Sequence, residues 1–313
     1  MKLVAPHYYD DFRCTADKCK HNCCIGWEID VDEITLEYYD SLSGEIGEKL
    51  KKNISREGDT PHFVLAENER CPFLMKNNLC ELICKLGDDA LCDICADHPR
   101  FRNFFSDREE MGLGLCCESA GRLVLSNKDK IEFVTLADDK ENDELTETEK
   151  TVLNTREKLF EIALCRDKTL SEKIDSMLGL CKLKRKVRSR SEWADVFLSM
   201  ERLDESWTEL LISFKNSACK NSELKDKEKW EKPFSQLLFY FIYRHFSPSA
   251  EDGRLWERLL FAIDSCIFVR EICIFHEETS GELDFEDLVE YCRKYSSEME
   301  YSEENVENYL NVC

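Results

Sequence analysis

The sequence predicts a mainly α-helical protein: a small cysteine-rich α+β region organised by metal, followed by an irregular α-helical domain. Three observations carry this expectation. Eleven of the 18 cysteines fall within the first 117 of 313 residues. From residue 151 onward, apolar residues recur at helical spacing almost to the end. Between the two, residues 126–150 are acidic and poor in apolar side chains, as a linker or exposed excursion would be. The expected division is 1–125, a cysteine-rich metal-binding domain; 126–150, the acidic linker; and 151–313, an α-helical domain.

Element by element, Ile25, Trp27, Ile29 and Val31 alternate with polar residues, which predicts a short half-buried strand. Ile34, Tyr38 and Leu42 recur at helical spacing and predict one helix over 33–53. Residues 62–65 and 71–75 read as a strand pair, with Asn77–Asn78 as a turn. So little continuous apolar surface leaves metal to supply part of the folding free energy. Beyond the linker, stripes at 153–163, 170–181, 204–218 and 230–247 predict helices, with Pro233 near the start of the last. Residues 254–275 are apolar on several faces and predict a central buried helix.

Composition narrows the function classes. The formal net charge of −22 argues against nucleic acid as the main partner. In residues 277–313 twelve acidic residues face two basic ones, a solvated face or an attraction for a lysine-bearing protein substrate. The basic run CKLKRKVRSR at 181–190 reads as a helix end favoured by the helix dipole. No apolar run reaches the roughly 18 residues of a membrane span. The start, MKLVAPHYYDDF, lacks the apolar core of a secretory signal, so the cytoplasm is the expected compartment.

In a reducing compartment, clustered cysteines point to metal rather than to disulfides. Cys14, Cys19, Cys23 and Cys24 pack four thiols into eleven residues; Cys71, Cys80, Cys84, Cys92 and Cys95 form a second group, and Cys116–Cys117 a third. Side chains of neighbouring cysteines diverge, so Cys23 and Cys24 are expected to serve different centres. Four thiolates suit zinc or an iron–sulfur cluster equally, which leaves the metal's identity open. His21, His62 and His98 are better read as hydrogen-bonded structural residues than as ligands. The scattered cysteines, such as Cys165, Cys219 and Cys266, read as small buried hydrophobes.

The order FRC-x4-C-x3-CCIGWEID, CPFL-x4-LC, C-x2-HPR and LCCESAGRLVL resembles the flagellin lysine N-methylase family, which is related to the zinc/iron-chelating CxxCxxCC proteins. The motifs span residues 8–125; in the helical half the likeness is limited to the stretch at 239–246. Cys14, Cys19, Cys23, Cys24, Cys71, Cys80, Cys95 and Cys117 match the pattern and are the expected metal ligands. Cys84, Cys92 and Cys116 look like additions, while Pro99, Arg100 and Arg122 also fit. The resemblance implies methyl transfer from S-adenosylmethionine to lysines of flagellin, with a metal centre that an iron–sulfur cluster would fit and zinc as the alternative.

The residues themselves show no usual nucleotide-binding route. Only 11 glycines are present, and Gly112-Leu113-Gly114 is too weak to serve as a phosphate loop. A methylase needs a proton acceptor beside a neutral lysine amine, for which Tyr8, Tyr9 and Asp10 are candidates by type and position. Arg100 could pair with the cofactor carboxylate. The competing expectation is a non-catalytic metal-binding interaction module or a metal carrier.

Overall fold

A computed structural model describes residues 1–139, 143–218, 220–221 and 223–312. The chain forms two compact units, residues 13–100 and residues 1–12 with 101–313. Residues 101–125, expected with the cysteine region, thus build the larger unit. Strand β1 (Lys2–Pro6) also belongs there.

The smaller unit is built from short pieces. The single helix expected over 33–53 is two, α1 (Glu33–Ser41) and α2 (Gly44–Asn53), broken at Leu42–Ser43. Gly47 explains the sharpness of the break: a Cβ there would lie 2.3 Å from the carbonyl oxygen of Leu42, so only glycine lets the second helix fold back so closely. The expected apolar stripe is out of phase as well. Ile34 and Tyr38 are exposed, and the neighbouring Tyr39 is the buried ring, its hydroxyl donating to Ala90 O at 2.7 Å.

Residues 25–31 make isolated bridges, Ile25 to Arg70 and Asp30 to His62, rather than a ladder, although Ile29 and Val31 are buried as the alternation requires. The one antiparallel pair joins β2 (Ile54–Ser55) to β3 (His62–Phe63), so residues 71–75 are not its partner. The expected turn at Asn77–Asn78 is present, with Asn78 at φ +61° and its N–H donating to Met75 O. Helices α3 (Glu81–Leu86) and α4 (Asp93–Asp97) complete a core around Ile29, Tyr39, Leu50, Phe63 and Phe73.

In the larger unit, β4 (Arg100–Phe105) and β5 (Arg108–Leu113) join β1 in a four-stranded sheet. Helix α5 (Glu118–Ser126) follows, and β6 (Phe133–Asp138) closes the order β4-β5-β1-β6. β1 pairs parallel to β5 and antiparallel to β6, so part of the expected linker is an edge strand.

The rest is helical: α6 (Glu147–Ala163), α7 (Leu170–Cys181), α8 (Arg190–Leu198), α9 (Glu205–Asn216), α10 (Lys227–Phe246), α11 (Ser249–Asp252), α12 (Leu255–Ser280), α13 (Phe285–Tyr295) and α14 (Glu303–Leu310). A π-helical turn spans Ser296–Glu300. Capping boxes at Thr146/Glu149, Thr169/Glu172, Ser189/Glu192 and Asp284/Asp287 fix four of the starts. α10 begins earlier than expected and carries Pro233 inside it. α12 is the central buried helix and packs along α10.

The basic run corrects its expectation. α7 ends at Cys181, and the arginines beyond it turn inward: Arg188 Nη1 lies 2.6 Å from Asp264, and Arg190 Nη1 lies 2.8 Å from Glu278, both on α12. Among the scattered cysteines, Cys266, Cys273 and Cys292 are buried and Cys165 and Cys181 half-buried; Cys219 lies outside the described residues. Among the described residues no helix is long and apolar enough to cross a membrane.

Candidate functional site

The cysteines of the smaller unit gather because backbone contacts bring distant loops to one core. Cys71 N–H donates to Cys24 O at 2.8 Å, joining the first and second sequence groups. A bridge between Leu74 and Cys80 then folds the chain back, and Cys95 N–H closes on Cys92 O. Cys71 and Cys92 are buried in the core, with Cys24, Cys80 and Cys95 packed against it.

The thiols feel one another. Cys23 is brought down to about 7 by the hydrogen bond from its neighbour Cys24, which is itself pushed up by that bond, by burial, and by Cys71 and Cys80. Cys92 is lowered by the hydrogen bond of Cys95; Cys95 is raised by it, by burial, and by Cys92, Cys24 and Cys71. Burial lifts Cys71 to about 11 and also raises Cys80. Six thiols, those of Cys23, Cys24, Cys71, Cys80, Cys92 and Cys95, therefore share one electrostatic neighbourhood. Cys23 and Cys24, expected to serve different centres, both lie within it.

The first two cysteines sit differently. Cys14 is exposed and its sulfur accepts from Ala16 N–H, while half-buried Cys19 donates to His21 O at 2.9 Å. Cys84 is exposed beside Cys80. His62 Nδ1 lies 3.0 Å from Thr60 O. Burial and then Arg100 bring His98 down to about 4, so its ring, packed near Trp27, is neutral. Arg100 itself donates to Ala96 O at 3.0 Å.

The remaining predicted residues lie in the larger unit. Tyr8 and Tyr9 are buried in its core, with the Tyr9 hydroxyl 3.5 Å from the Met111 sulfur, while Asp10 is exposed. Cys117 precedes α5, and burial pushes Cys116 up to about 12 beside Tyr301 and Arg244. Arg122 forks onto Glu286 at 2.6 and 2.9 Å and tethers α5 to α13.

Sequence reasoning missed the charged knot in this unit. Glu300, at the end of the π-helical turn, accepts from the Tyr240 hydroxyl at 2.8 Å and meets His245 Nε2 at 2.5 Å. Arg244 lies against Tyr301 and Phe101. The available signal was an arginine and a histidine inside the apolar stretch FYFIYRHF.

Residues 102–313 match the model of the FliB lysine N-methylase C-terminal domain. The chain belongs to that family. Over 137 residues, 41% of this chain, it is 29% identical to lysine-N-methylases of Salmonella choleraesuis and Salmonella typhimurium, and the match covers 34% of each. A flagellar biosynthetic protein, FliU of Salmonella muenchen, matches at the same identity over 80% of its length. The match thus spans about a third of the curated lysine-N-methylases' own length. No solved structure matches.

For a member of this lysine N-methylase family, the donor chemistry of the six thiols suits a thiophilic metal or an iron–sulfur cluster. Among the described residues no three Cys, His, Asp or Glu side chains stand close enough to hold an ion. The sheet offers no doubly wound nucleotide site: β1 lies between a parallel and an antiparallel neighbour. Gly112 is glycine for packing, since a Cβ there would lie 2.2 Å from Phe101 Cζ.

Proposed function

We propose that the chain is a lysine N-methyltransferase that acts on flagellin or another lysine-bearing protein in the cytoplasm, with S-adenosylmethionine as methyl donor. The observation that carries this reading is the family match over residues 102–313. The likeness to the Salmonella lysine-N-methylases and FliU supports it, and so does a net charge of −22, which attracts a lysine-rich substrate.

Bound metal, as an iron–sulfur cluster or zinc, would have to draw Cys24, Cys71, Cys80 and Cys95 closer together than they stand here, with Cys23 and Cys92 close by. Such a centre supplies a thiolate-ligated Lewis acid and ties three loops together. Cys14, Cys19 and Cys117 remain ligands by resemblance alone. Of the proposed proton acceptors, exposed Asp10 is the one a substrate amine can reach; Tyr8 and Tyr9 serve the core. Arg100 is the proposed partner of the cofactor carboxylate.

The test is anaerobic purification with iron, zinc and acid-labile sulfide analysis, a titration with S-adenosylmethionine, and mass spectrometry of flagellin after incubation with both. Methylated lysines that disappear without the donor support the reading. Zinc alone, no donor binding and unmodified flagellin would replace it with a structural metal module. That second reading draws on the setting of the thiols, which pack on the small core of Phe63 and Phe73.

A further inference from the structure

One cavity of the larger unit runs against the charge of the chain. It has a volume of about 480 Å³, and its walls come from the loop after α5, the α6–α7 turn, the first turn of α7 and the second and third turns of α10. Six cations line it, Lys128, Lys130, Arg166, Lys168, Lys173 and Lys232, against three carboxylates. A protein of net charge −22 thus concentrates a local excess of three positive charges in one cleft.

Several of these cations spend their hydrogen bonds on neutral oxygens. Lys173 donates to Ser235 Oγ, Lys168 to Ser176 Oγ, and Lys232 to the carbonyl of Lys128. Burial, then Arg166 and Lys128, hold Lys232 below the ordinary lysine value. Glu231, the carboxylate whose charge acts on Lys173, is also engaged with Leu170 N–H at the start of α7, at 2.8 Å.

Two wall residues are buried beyond what a solvated face requires. Lys173 is 2% exposed, and Gln236 is 4% exposed with no hydrogen-bond partner for its Oε1. A buried ammonium beside a hydroxyl, and a buried amide oxygen left unpaired, each cost free energy. A single ligand that brings an anionic oxygen to Lys173 and a hydroxyl to Gln236 relieves both. The volume falls in the range of small-molecule sites.

We propose that this cavity binds a small hydroxylated phosphomonoester, its phosphate among Lys173, Lys232 and Arg166 and a hydroxyl donating to Gln236 Oε1. A phosphomonoester suits the excess of three positive charges better than a monocarboxylate, because it carries nearly two negative charges at neutral pH. Cys165 lines the cavity, but none of the thiols of residues 13–100 does.

The experiment is calorimetric titration and thermal unfolding of the full chain with ribose 5-phosphate, inorganic phosphate and ribose. Ribose 5-phosphate is expected to bind saturably and raise Tm, inorganic phosphate to bind about tenfold more weakly, and ribose to do neither. Lys232→Ala with Arg166→Ala, both at exposed positions, should weaken ribose 5-phosphate at least about tenfold while Tm of the free protein is unchanged. Gln236→Leu should remove the preference for the ester over inorganic phosphate. Absence of binding at millimolar ribose 5-phosphate, or binding undiminished in the double variant, overturns the proposal. Equal affinity for inorganic phosphate overturns the assignment of an ester.

Discussion

His245 Nε2 lies 2.5 Å from Glu300 Oε1, with both side chains buried and Arg244 alongside. Burial opposes the charge of Glu300, yet Arg244 and His245 hold its carboxyl down to about 2. Burial outweighs that carboxylate at His245, whose own value is lowered, so the histidine is neutral and donates. Both groups bind protons less readily folded than unfolded, and stability is lost as pH falls. The His245 contribution fades first, below about 6.5, and the Glu300 contribution below about 4.3. Urea midpoints measured from pH 8 to 3 should fall in two stages, and His245→Gln should flatten the first. Glu300→Ala should cost about 3–5 kcal/mol at pH 7, because it strands Arg244.

A second buried pair gives the opposite lesson when both partners change. Arg156 Nη1 and Nη2 meet Glu110 at 2.6 and 2.8 Å, joining α6 to β5, with Arg108 also on Glu110 and backed by Asp107. Arg156→Met should cost about 3–5 kcal/mol, since Glu110 is 1% exposed and loses its main partner. Glu110→Leu combined with Arg156→Met should recover most of that loss, because two apolar groups need no desolvation. Chemical denaturation of Arg156→Met, Glu110→Leu and the double variant reads the coupling directly.

What could be read from the chain follows how local each determinant is. The helical half was legible because its starts are encoded within four residues, as at Thr169 and Glu172. The buried helix α12 declared itself by apolar residues on several faces. The smaller unit was not legible in the same way, because Tyr39 rather than Tyr38 is buried through a bond to Ala90, 51 residues away. The run at 181–190 looked like a dipole effect, but its arginines answer carboxylates 76 and 88 residues further on. For the site, clustering of cysteines was visible in the sequence. That Cys92 joins the gathered thiols while Cys14 sits exposed depends on loop closure, which spacing does not encode.

Glycine at position 112 tests whether the Gly-Leu-Gly stretch has a ligand role. The Phe101 ring occupies the place of the missing side chain and also packs edge-on against Tyr240 and Tyr243. Gly112→Ala should cost about 1–3 kcal/mol by overpacking. Adding Phe101→Leu should restore part of the loss by opening that space. A glycine needed for a ligand would instead leave stability intact and lower only activity, which thermal unfolding beside the flagellin assay would separate.

The gathered thiols make the final prediction, which concerns metal content and folding together. Cys71 is buried in the small core and its N–H closes on Cys24 O, whereas Cys84 is exposed at the rim. On the proposed metal binding, Cys71→Ser should lower bound metal severalfold and expose the unit to protease, since the affinity of such a metal would be folding free energy. Cys84→Ser should change neither. A chelator applied to the unmodified chain should reproduce the Cys71→Ser digestion pattern within residues 13–100. It should leave the larger unit resistant, because that core is apolar and carries its own helices. Metal content by mass spectrometry, set beside limited proteolysis of the same samples, checks both halves: equal metal in Cys71→Ser and the parent chain would remove Cys71 from the ligand set.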